Sequence, residues 1–303
     1  MADVTLRAPT LDDAGAAAAV INSVMQRLRA RDDVDEHVVH GWWTQPGPFD
    51  LERDVVLAVR GREVVGYGDL HDQGHDGSML WRDVRGEGLG ELHAEVERRA
   101  LGRLSPGGVV RAVADERDEA YRELLASRGY VRIRSSYRMG IELEGRTFDA
   151  RWPEDARVRS GVEGADEPLL HALLQQAFAD HWSFTPTPYE EFLHWLREGA
   201  PVDPSLWLVA EVAGAPAGVA MCRASQPGKP DQGWVDNLGV LPEFRGRGLG
   251  TALLVHGFAE LSRKGCRRVG LGVDAENTTG AVRLYEHAGM SVVERSDTWE
   301  RRP

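Results

Sequence analysis

The chain has 303 residues, and a length of this order predicts two domains, because domains usually run to about 100–200 residues. Its 42% hydrophobic and 28% charged residues are typical of an ordinary globular protein. The net charge of −12 repels phosphate backbones, so it argues against a nucleic-acid partner, and any anionic ligand must be held by local dipoles and a few arginines.

Cysteine usage and the lack of long apolar runs narrow the class further. Cys222 and Cys266 lie in apolar stretches without metal-ligand spacing, so we expect buried thiols, no disulfide framework and no metal site. The first residues contain no apolar signal segment, and no apolar run approaches the ~20 residues that span a bilayer. We therefore expect a cytoplasmic protein without a membrane partner, either a monomer or a homodimer.

The beginning of the chain predicts an α/β unit. A short strand at Val4–Arg7 precedes a helix that Asp12 caps. Residues 54–60 and 63–66 are strand-like and flank a glycine turn, which predicts a hairpin. Residues 84–90 read Val-Arg-Gly-Glu-Gly-Leu-Gly and predict a glycine-rich turn that leads into a helix.

The same landmarks recur in the same order later in the chain. Residues 206–211 and 216–218 repeat the hairpin pattern, and residues 244–250 read Phe-Arg-Gly-Arg-Gly-Leu-Gly. Downstream of each turn, a glycine closes a helix, at Gly129 in the first copy and Gly289 in the second. Matched landmarks in one order predict two copies of one fold.

The boundary between the copies is predicted near residue 150. Residues 146–155 lack the period of either a strand or a helix, so they are predicted to be a linker. We therefore predict an N-terminal domain at residues 1–145 and a C-terminal domain at residues 156–303.

The second copy contains the clearer element pattern. Its third strand, at residues 233–241, is ended by Pro242, and the glycine turn leads into a helix at Leu249–Arg263. A strand at residues 268–273, a helix at about 279–287 and a last strand are expected to complete the unit. Strands that alternate with helices predict a mixed α/β (α+β) fold, a twisted sheet flanked by helices.

The glycine turn at residues 245–250 has the chemistry of a pyrophosphate site. The first N–H groups of the following helix have no intrahelical partner, and glycines let these groups close around phosphate oxygens. The helix dipole adds roughly half a positive charge there. Arg245 and Arg247 are expected to add mobile positive charge.

Two other glycine-rich motifs do not match this turn. A Walker loop needs a lysine before Thr251, where this chain has Gly250. A dinucleotide fingerprint needs wider glycine spacing and belongs after the first strand of its domain. The plain alternative is an ordinary glycine-rich connection between a strand and a helix.

The context of the turn resembles a known family. Residues 240–254 are similar to the acetyl-CoA signature of the GNAT acetyltransferase superfamily, which has the form Gln/Arg-x-x-Gly-x-Gly/Ala at the start of a helix. Residues 273–277, followed by Leu284-Tyr285 and Gly289-Met290, resemble its second conserved segment. The resemblance covers about residues 155–298, and the first copy resembles the fold more loosely. It implies two tandem GNAT acyl-CoA N-acyltransferase domains.

The resemblance implies acetyl-CoA as the cofactor and suggests its contacts. Residues 236–241 would splay from the neighbouring strand and pair with the pantetheine arm, and the amides of residues 245–251 would bind the pyrophosphate. Asn277 would contact the cofactor near its thioester. The implied contacts are Leu238, Gly239, Val240, Arg245, Gly246, Arg247, Gly248, Leu249, Gly250, Thr251 and Asn277.

Two residues are candidates for proton transfer. Tyr285 matches the tyrosine that protonates the departing thiolate in many family members, a role typically worth ~10²–10⁴ in rate; the plain alternative is a helix residue with an exposed hydroxyl. Asp236 is the candidate base, and strand alternation predicts that it shares a face with Leu238. A solvated strand-end carboxylate, or a backbone carbonyl acting through water, stays open for that role.

The loop after the first helix of the second copy is the candidate acceptor site. The resemblance implies that the acceptor is bound by the first two helices, the loop between them and the late hairpin, and this loop carries His181, Trp182 and Phe184. The alternative is an aromatic plug over the core. The resemblance implies an N-acetyltransferase that moves an acetyl group from acetyl-CoA directly to a primary amine of a small molecule, in the C-terminal domain.

The first copy lacks residues that this chemistry needs. Glu87 stands where the second copy has Arg247, and Leu125 stands where it has Tyr285, so we expect a catalytically silent, degenerate domain.

Two alternative functions stay open. Tandem mycothiol synthases have about this length and acetylate a cysteinyl amine, but Trp234 occupies the place of their glutamate base. A non-catalytic acyl-CoA-binding or sensing protein is the other, and it would not need the hydroxyl of Tyr285.

Overall fold

The computed structural model describes residues 3–73, 76–86, 89–197, 203–226 and 229–303. The chain divides into two compact units, Met1–Ser135 with Ser296–Pro303, and Ser136–Arg295. Each unit is a mixed sheet flanked by helices, as the sequence predicts. Within the described residues, no helix combines the length and the apolar character needed to cross a bilayer.

The first unit is built from the beginning of the chain. Its strands are β1 (Val4–Arg7), β2 (Val55–Arg60), β3 (Glu63–Asp72), β4 (Met79–Gly86) and β5 (Val109–Asp115). Its helices are α1 (Ala14–Arg29), α2 (Glu36–Trp43), α3 (Leu51–Asp54), α4 (Leu89–Leu101) and α5 (Glu119–Ser127). The strands follow the order β1-β2-β3-β4-β5, antiparallel except for the parallel pair β4 and β5.

The second unit repeats this plan. Its strands are β6 (Val131–Glu142), which enters it at residue 136, then β7 (Ala156–Ser160), β8 (Trp207–Val212), β9 (Ala215–Arg223), β10 (Gln232–Val240) and β11 (Arg268–Asp274). Its helices are α6 (Glu167–Phe178), α7 (Tyr189–Arg197), α8 (Leu249–Arg263) and α9 (Ala281–His287). The sheet runs β6-β11-β10-β9-β8-β7, and only β10 and β11 are parallel in the pairings that the structure describes.

Helices cover both faces of the second sheet. On one face, Leu254, Phe258 and Leu261 recur at helical spacing along α8 and pack against the strands. On the other face, Leu170 and Leu173 of α6 pack against β8 and β9. Both faces are therefore buried, which explains the near-continuous apolar runs of these strands.

The last strand of each sequence copy completes the sheet of the other copy. The final strand β12 (Ser291–Arg301) pairs residues 296–301 with residues 110–115 of β5 in the first unit. Residues 136–142 of β6 pair with β11 in the second unit. We expected each last strand to complete its own copy. The unpaired N–H and C=O groups at the edge of a sheet can bond to any antiparallel strand of the right length. Local sequence therefore does not show whether a last strand joins the sheet of its own copy or that of the other copy.

Candidate active site

The second sheet opens into a wedge between two neighbouring strands. The strand β10 pairs with β11 only from Gln232 to Val235, opposite Arg268 to Leu271. Beyond that point β10 stays paired with β9 as far as Val240, while β11 stays paired with β6 as far as Asp274. The predicted splay is thus confirmed, and it leaves a cleft of about 670 Å³.

A glycine turn closes one end of this cleft. After β10, a short 3-10 turn at Pro242–Phe244 leads to Gly246 (φ +75°) and Gly248 (φ +84°), and α8 begins at Leu249. Apart from the adjacent residues, no atom of the described chain lies within 4 Å of a Cβ built at either glycine. The positive φ angles, and not a lack of space, therefore explain why these residues are glycines. The first turn of α8 carries no acidic residue, which leaves its N–H groups suited to an anion.

Most of the predicted site residues line the cleft. The structure brings together Asp236, Leu238, Gly239, Val240, Arg245, Gly246, Gly248, Leu249, Gly250, Thr251, Asn277, Tyr285 and His181. Three others, Arg247, Trp182 and Phe184, are not among the residues that line it.

The two arginines of the turn are already paired with protein groups. Arg245 donates to the carbonyl of Ala177 at 2.8 Å and forms an ion pair with Asp180. Arg247 donates to both carboxylate oxygens of Asp155 at 2.8 Å. The mobile charge expected from the sequence is therefore held in local ion pairs, and the backbone N–H groups remain as the main anion donors of the turn.

Tyr285 reaches the cleft from α9 with its ring in the core. The residue is 8% exposed and packs in the cluster that contains Met139, Leu254 and Phe258. Burial raises the pKa of the Tyr285 hydroxyl to about 12. Among the described residues, none forms a hydrogen bond with this hydroxyl. The phenol therefore stays protonated near neutral pH and can donate into the cleft.

Asp236 sits at a β-bulge. The register between β10 and β9 shifts between Val235 and Asn237, so the side-chain alternation is interrupted at Asp236. The expectation that Asp236 shares a face with Leu238 is wrong for this reason. Leu238 packs with residues of α8, whereas Asp236 pairs with Arg223, whose guanidinium lies over the ring of Trp195 on α7.

The Asp236 carboxylate is buried and ion-paired. Its side chain is 7% exposed, and Nε of Arg223 donates to its Oδ2 at 2.8 Å and to its Oδ1 at 3.0 Å. Burial raises the pKa of Asp236, and the hydrogen bonds and charge of Arg223 act in the opposite direction. We expect burial to dominate, because the carboxylate has lost most of its water and has one cationic partner.

The loop between β11 and α9 places Asn277 at the cleft through hydrogen bonds within the loop. The N–H of Asn277 donates to the carbonyl of Asp274 at 3.1 Å, and its side-chain oxygen accepts from the N–H of Thr279 at 2.8 Å. The oxygen is thereby used within the loop, which leaves the amide NH₂ as the group that can contact a ligand.

The aromatic loop after α6 divides into two parts. His181 lines the cleft and packs edge-on against Phe178 at 4.6 Å, and burial lowers the pKa of its imidazole. Trp182 is exposed and Phe184 is half-buried, away from the cleft. Acceptor contacts for these three residues stay a prediction.

Sequence reasoning missed the arginine that α9 contributes to the cleft. Arg283 lies on α9 two positions before Tyr285, lines the cleft and has no carboxylate at ion-pair distance among the described residues. Its position in the first turn of α9, two residues before Tyr285, could have identified it from the sequence. Arg283 is therefore a second cationic candidate for phosphate contact.

The corresponding part of the first unit carries different, buried side chains. The strand β4 pairs with β5 only from Met79 to Arg82, so these strands also diverge. Tyr121 has the spacing to Gly129 that Ala281 has to Gly289, and it is buried beside Arg82. The predictions for Glu87 and Gly88 lie outside the described residues.

Comparisons with known proteins agree with this arrangement. The profile described as "Acetyltransferase (GNAT) family" matches residues 168–290. The mycothiol acetyltransferase of Thermobispora bispora is 33% identical over 78% of this chain and 79% of its own length. That of Geodermatophilus obscurus is 31% identical over 96% of each chain.

Solved structures share the whole fold. A GCN5-related N-acetyltransferase from Sphaerobacter thermophilus is 28% identical, with a TM-score of 0.79 over 99% of this chain and 96% of its own. A tandem GNAT protein from the clavulanic acid biosynthesis pathway has a TM-score of 0.76 over 99% of this chain and 98% of its own, at 16% identity. The chain therefore belongs to the GNAT acetyltransferase family, as a tandem member.

Proposed function

We propose that the second unit transfers the acetyl group of acetyl-CoA directly to a primary amine of a small molecule. The observation that carries this proposal is the wedge between β10 and β11. It ends at an anion-binding glycine turn and has a carboxylate, Asp236, and a phenol, Tyr285, on its walls. An acid and a base beside one cleft are the groups that acyl transfer to an ammonium requires.

The residues of the wedge fit the cofactor. When bound, acetyl-CoA supplies an activated thioester and a thiolate leaving group. The N–H groups at the start of α8 suit its pyrophosphate, and the side of β10 that no longer pairs with β11 offers backbone groups to the pantetheine amides. Because Gly239 has no side chain, α6 can pack closely against β10 at this position. A Cβ on residue 239 would lie 2.8 Å from the Cβ of Ala177.

Asp236 and Tyr285 divide the proton transfers between them. Asp236 accepts a proton from the acceptor ammonium, which makes the nitrogen lone pair available for the acetyl carbon. Tyr285 donates its proton to the sulfur as the C–S bond breaks and the C–N bond forms. The nitrogen loses its second proton as the amide forms, and this proton restores the phenol of Tyr285, while Asp236 releases the first proton to water. The products are an N-acetylated amine, CoA with its thiol protonated and one proton.

Direct transfer is favoured over an acetyl-cysteine route. Cys222 is the thiol nearest to this chemistry, and burial together with the neighbouring Asp236 raises its pKa. A protonated thiol is a poor nucleophile.

The test is amine-dependent release of the CoA thiol. The full chain is mixed with acetyl-CoA and a panel of small primary amines, and the acetylated product is identified by mass spectrometry. We expect thiol release to follow the identity of the amine. Tight binding of acetyl-CoA with no turnover for any amine would instead favour an acyl-CoA-binding or sensing protein.

The names of the relatives favour a second candidate, acetylation of a cysteinyl amine as in mycothiol synthesis. Trp234 stands where that family is expected to present a glutamate. Its ring lies under the guanidinium of Arg138 at 4.3 Å and above Gly270, where a Cβ would come within 2.5 Å of the ring. A cysteinyl amine that outperforms every other amine in the panel would support this candidate.

The first unit is proposed to be catalytically silent. Leu125, which has no proton to donate, is fully buried in the place of Tyr285, and Tyr121 and Arg82 are buried close to each other. Calorimetry with CoA is expected to give one site per chain, and a variant such as Gly248→Glu should remove it. Two sites of equal affinity would contradict this assignment.

A further inference from the structure

A second cavity of about 330 Å³ lies beside the cleft in the second unit. Trp195 and Trp207 contribute aromatic walls, Met221 an aliphatic one, and Arg223 and Asp236 the charged groups. Asp236 lines both this cavity and the wedge between β10 and β11. A molecule in the cavity therefore has the candidate base between itself and the thioester site.

The charges in this cavity form one dipolar pair. The Asp236 carboxylate is the deeper partner, at 7% exposure, and the Arg223 guanidinium is more accessible, at 37%. A further carboxylate that lines the cavity, Asp203, is neutralised by Lys264 at 2.7 Å. The cavity thus presents one anion and one adjacent cation above apolar walls.

We propose that this cavity binds the acceptor and that the acceptor is an α-amino acid with an apolar or aromatic side chain. This inference rests on the proposed function of the wedge. The α-ammonium group would pair with Asp236, the α-carboxylate with Arg223, and the side chain would lie against Trp195 and Trp207.

The balance of charges in this cavity favours a zwitterionic acceptor over a simple amine. A simple amine that takes Asp236 as its partner removes the ion-pair partner of Arg223 without replacing it. A zwitterion supplies both complementary charges, so neither protein charge is left unpaired in a partly buried site. Arginine also binds a carboxylate through two parallel N–H groups, as Arg223 does when its Nε donates to Oδ2 of Asp236 and its Nη2 to Oδ1.

The size of the cavity agrees with a small acceptor. Ligand pockets span about 300–1,000 Å³, and this cavity lies near the lower end of that range. The bulge at Asp236 turns its carboxylate towards α7 and away from α8. The amine of the bound acceptor would consequently enter the wedge from the α7 side, beside the same carboxylate that takes its proton.

The experiment compares each amino acid with its decarboxylated counterpart. Phenylalanine and phenethylamine, tryptophan and tryptamine, and leucine and isoamylamine are assayed with the full chain and acetyl-CoA. We expect kcat/KM to be at least ~10-fold higher for the amino acid of a preferred pair, because a charge-assisted contact is worth roughly that factor.

Variants then assign this preference to Arg223. Arg223→Met is expected to raise the KM for the amino acid ~10- to 100-fold, to leave the Kd of acetyl-CoA unchanged and to remove the preference over the plain amine. Arg223→Lys should retain part of the preference because it keeps the charge. Arg263→Met, on the exposed end of α8, is the matched control and should behave as the unaltered enzyme.

The outcomes separate this inference from the proposed function. Equal acetylation of both members of each pair, or a preference that survives in Arg223→Met, overturns the inference and leaves the acetyltransferase proposal standing. Acetyl-CoA binding without acetylation of any amino acid also overturns it. Failure to bind acetyl-CoA at all overturns the proposed function and this inference with it.

Discussion

Tyr285 combines a buried ring with a position on the wall of the cleft. With its pKa raised to about 12, the phenol keeps its proton across the range in which the enzyme would work. Tyr285→Phe is expected to lower kcat ~100-fold or more, since a lost general acid typically costs ~10²–10⁴. Steady-state thiol release measures this loss.

A matched variant separates chemistry from packing. Tyr137 packs against the same core cluster but does not line the cleft. Tyr137→Phe should therefore retain its kcat, and both variants should keep their melting temperature within a few degrees. Full turnover in Tyr285→Phe would eliminate it as the acid.

The pH profile tests the role of Asp236. Its carboxylate must be ionised to accept a proton, so kcat/KM should fall as the pH drops through its pKa. Arg223 holds that pKa down, so Arg223→Met should move the acidic limb of the profile to higher pH. The Asp236→Asn variant should lose this limb and most of the activity. An acidic limb that does not move in Arg223→Met would argue for another base.

Tyr285 and Asp236 also show how far the position of a single side chain can be predicted from the sequence. Tyr285 lies in a regular helix, where position in the motif fixes its direction, and it lines the cleft as expected. Asp236 was assigned to the wrong face because a single bulge residue inverts the alternation after it. Arg223, its ion-pair partner, is remote from the motif in sequence, so the pair was not foreseen.

At the scale of elements, the turn before α8 depends on left-handed backbone. Gly248→Ala places a Cβ at φ +84°, which costs about 1–2 kcal/mol in an L-residue. If the turn relaxes to avoid this strain, its N–H groups lose their common direction. We expect the Kd of CoA to rise ~10-fold, as calorimetry would measure.

The hairpin between β8 and β9 provides the control. Gly214 has a φ of +83° and, like Gly248, no atom within 4 Å of a built Cβ. Gly214→Ala should therefore lower the free energy of unfolding by a similar amount and leave the Kd of CoA unchanged. Equal binding by the two variants would show that the turn does not hold the pyrophosphate.

Element prediction succeeded where local pattern and family resemblance agreed. The helix α8, its glycine turn and the splay of β10 were all expected, because each follows from a continuous segment of the chain. Pairing of β6 and β12 depends on which distant edge each strand meets. No local sequence signal specifies which edge a strand joins, so the exchange of β6 and β12 between the two sheets was not predicted.

At the scale of the molecule, the last eight residues belong to the first unit. Deleting Ser296–Pro303 removes the antiparallel partner of β5, which keeps only its parallel pairing with β4. The deletion also leaves Arg111 without Glu300, which it contacts at 3.0 Å in a buried ion pair. Such a loss typically costs about 3–5 kcal/mol. We expect hydrogen exchange to show lost protection in β5, with β8 and β9 unaffected.

A shorter deletion controls for the effect of truncating the C-terminus. Arg302 and Pro303 follow β12, and Arg302 is mostly exposed. Removing these two residues alone should leave β5 protected, since exposed ion pairs contribute only about 0–1 kcal/mol. Unchanged protection of β5 in the longer deletion would contradict the exchanged arrangement.

The exchanged strands bear on how the gene can evolve. Tyr137 and Ser136, from the end of the first copy, pair with Val273 and Asp274 on the strand that forms one wall of the cleft. Selection for the proposed catalysis in the second copy would therefore also act on the closing strand of the first. Such a duplicate can lose its own activity and still not be discarded, because excision would remove the strand that pairs with β11 in the wall of the proposed catalytic cleft.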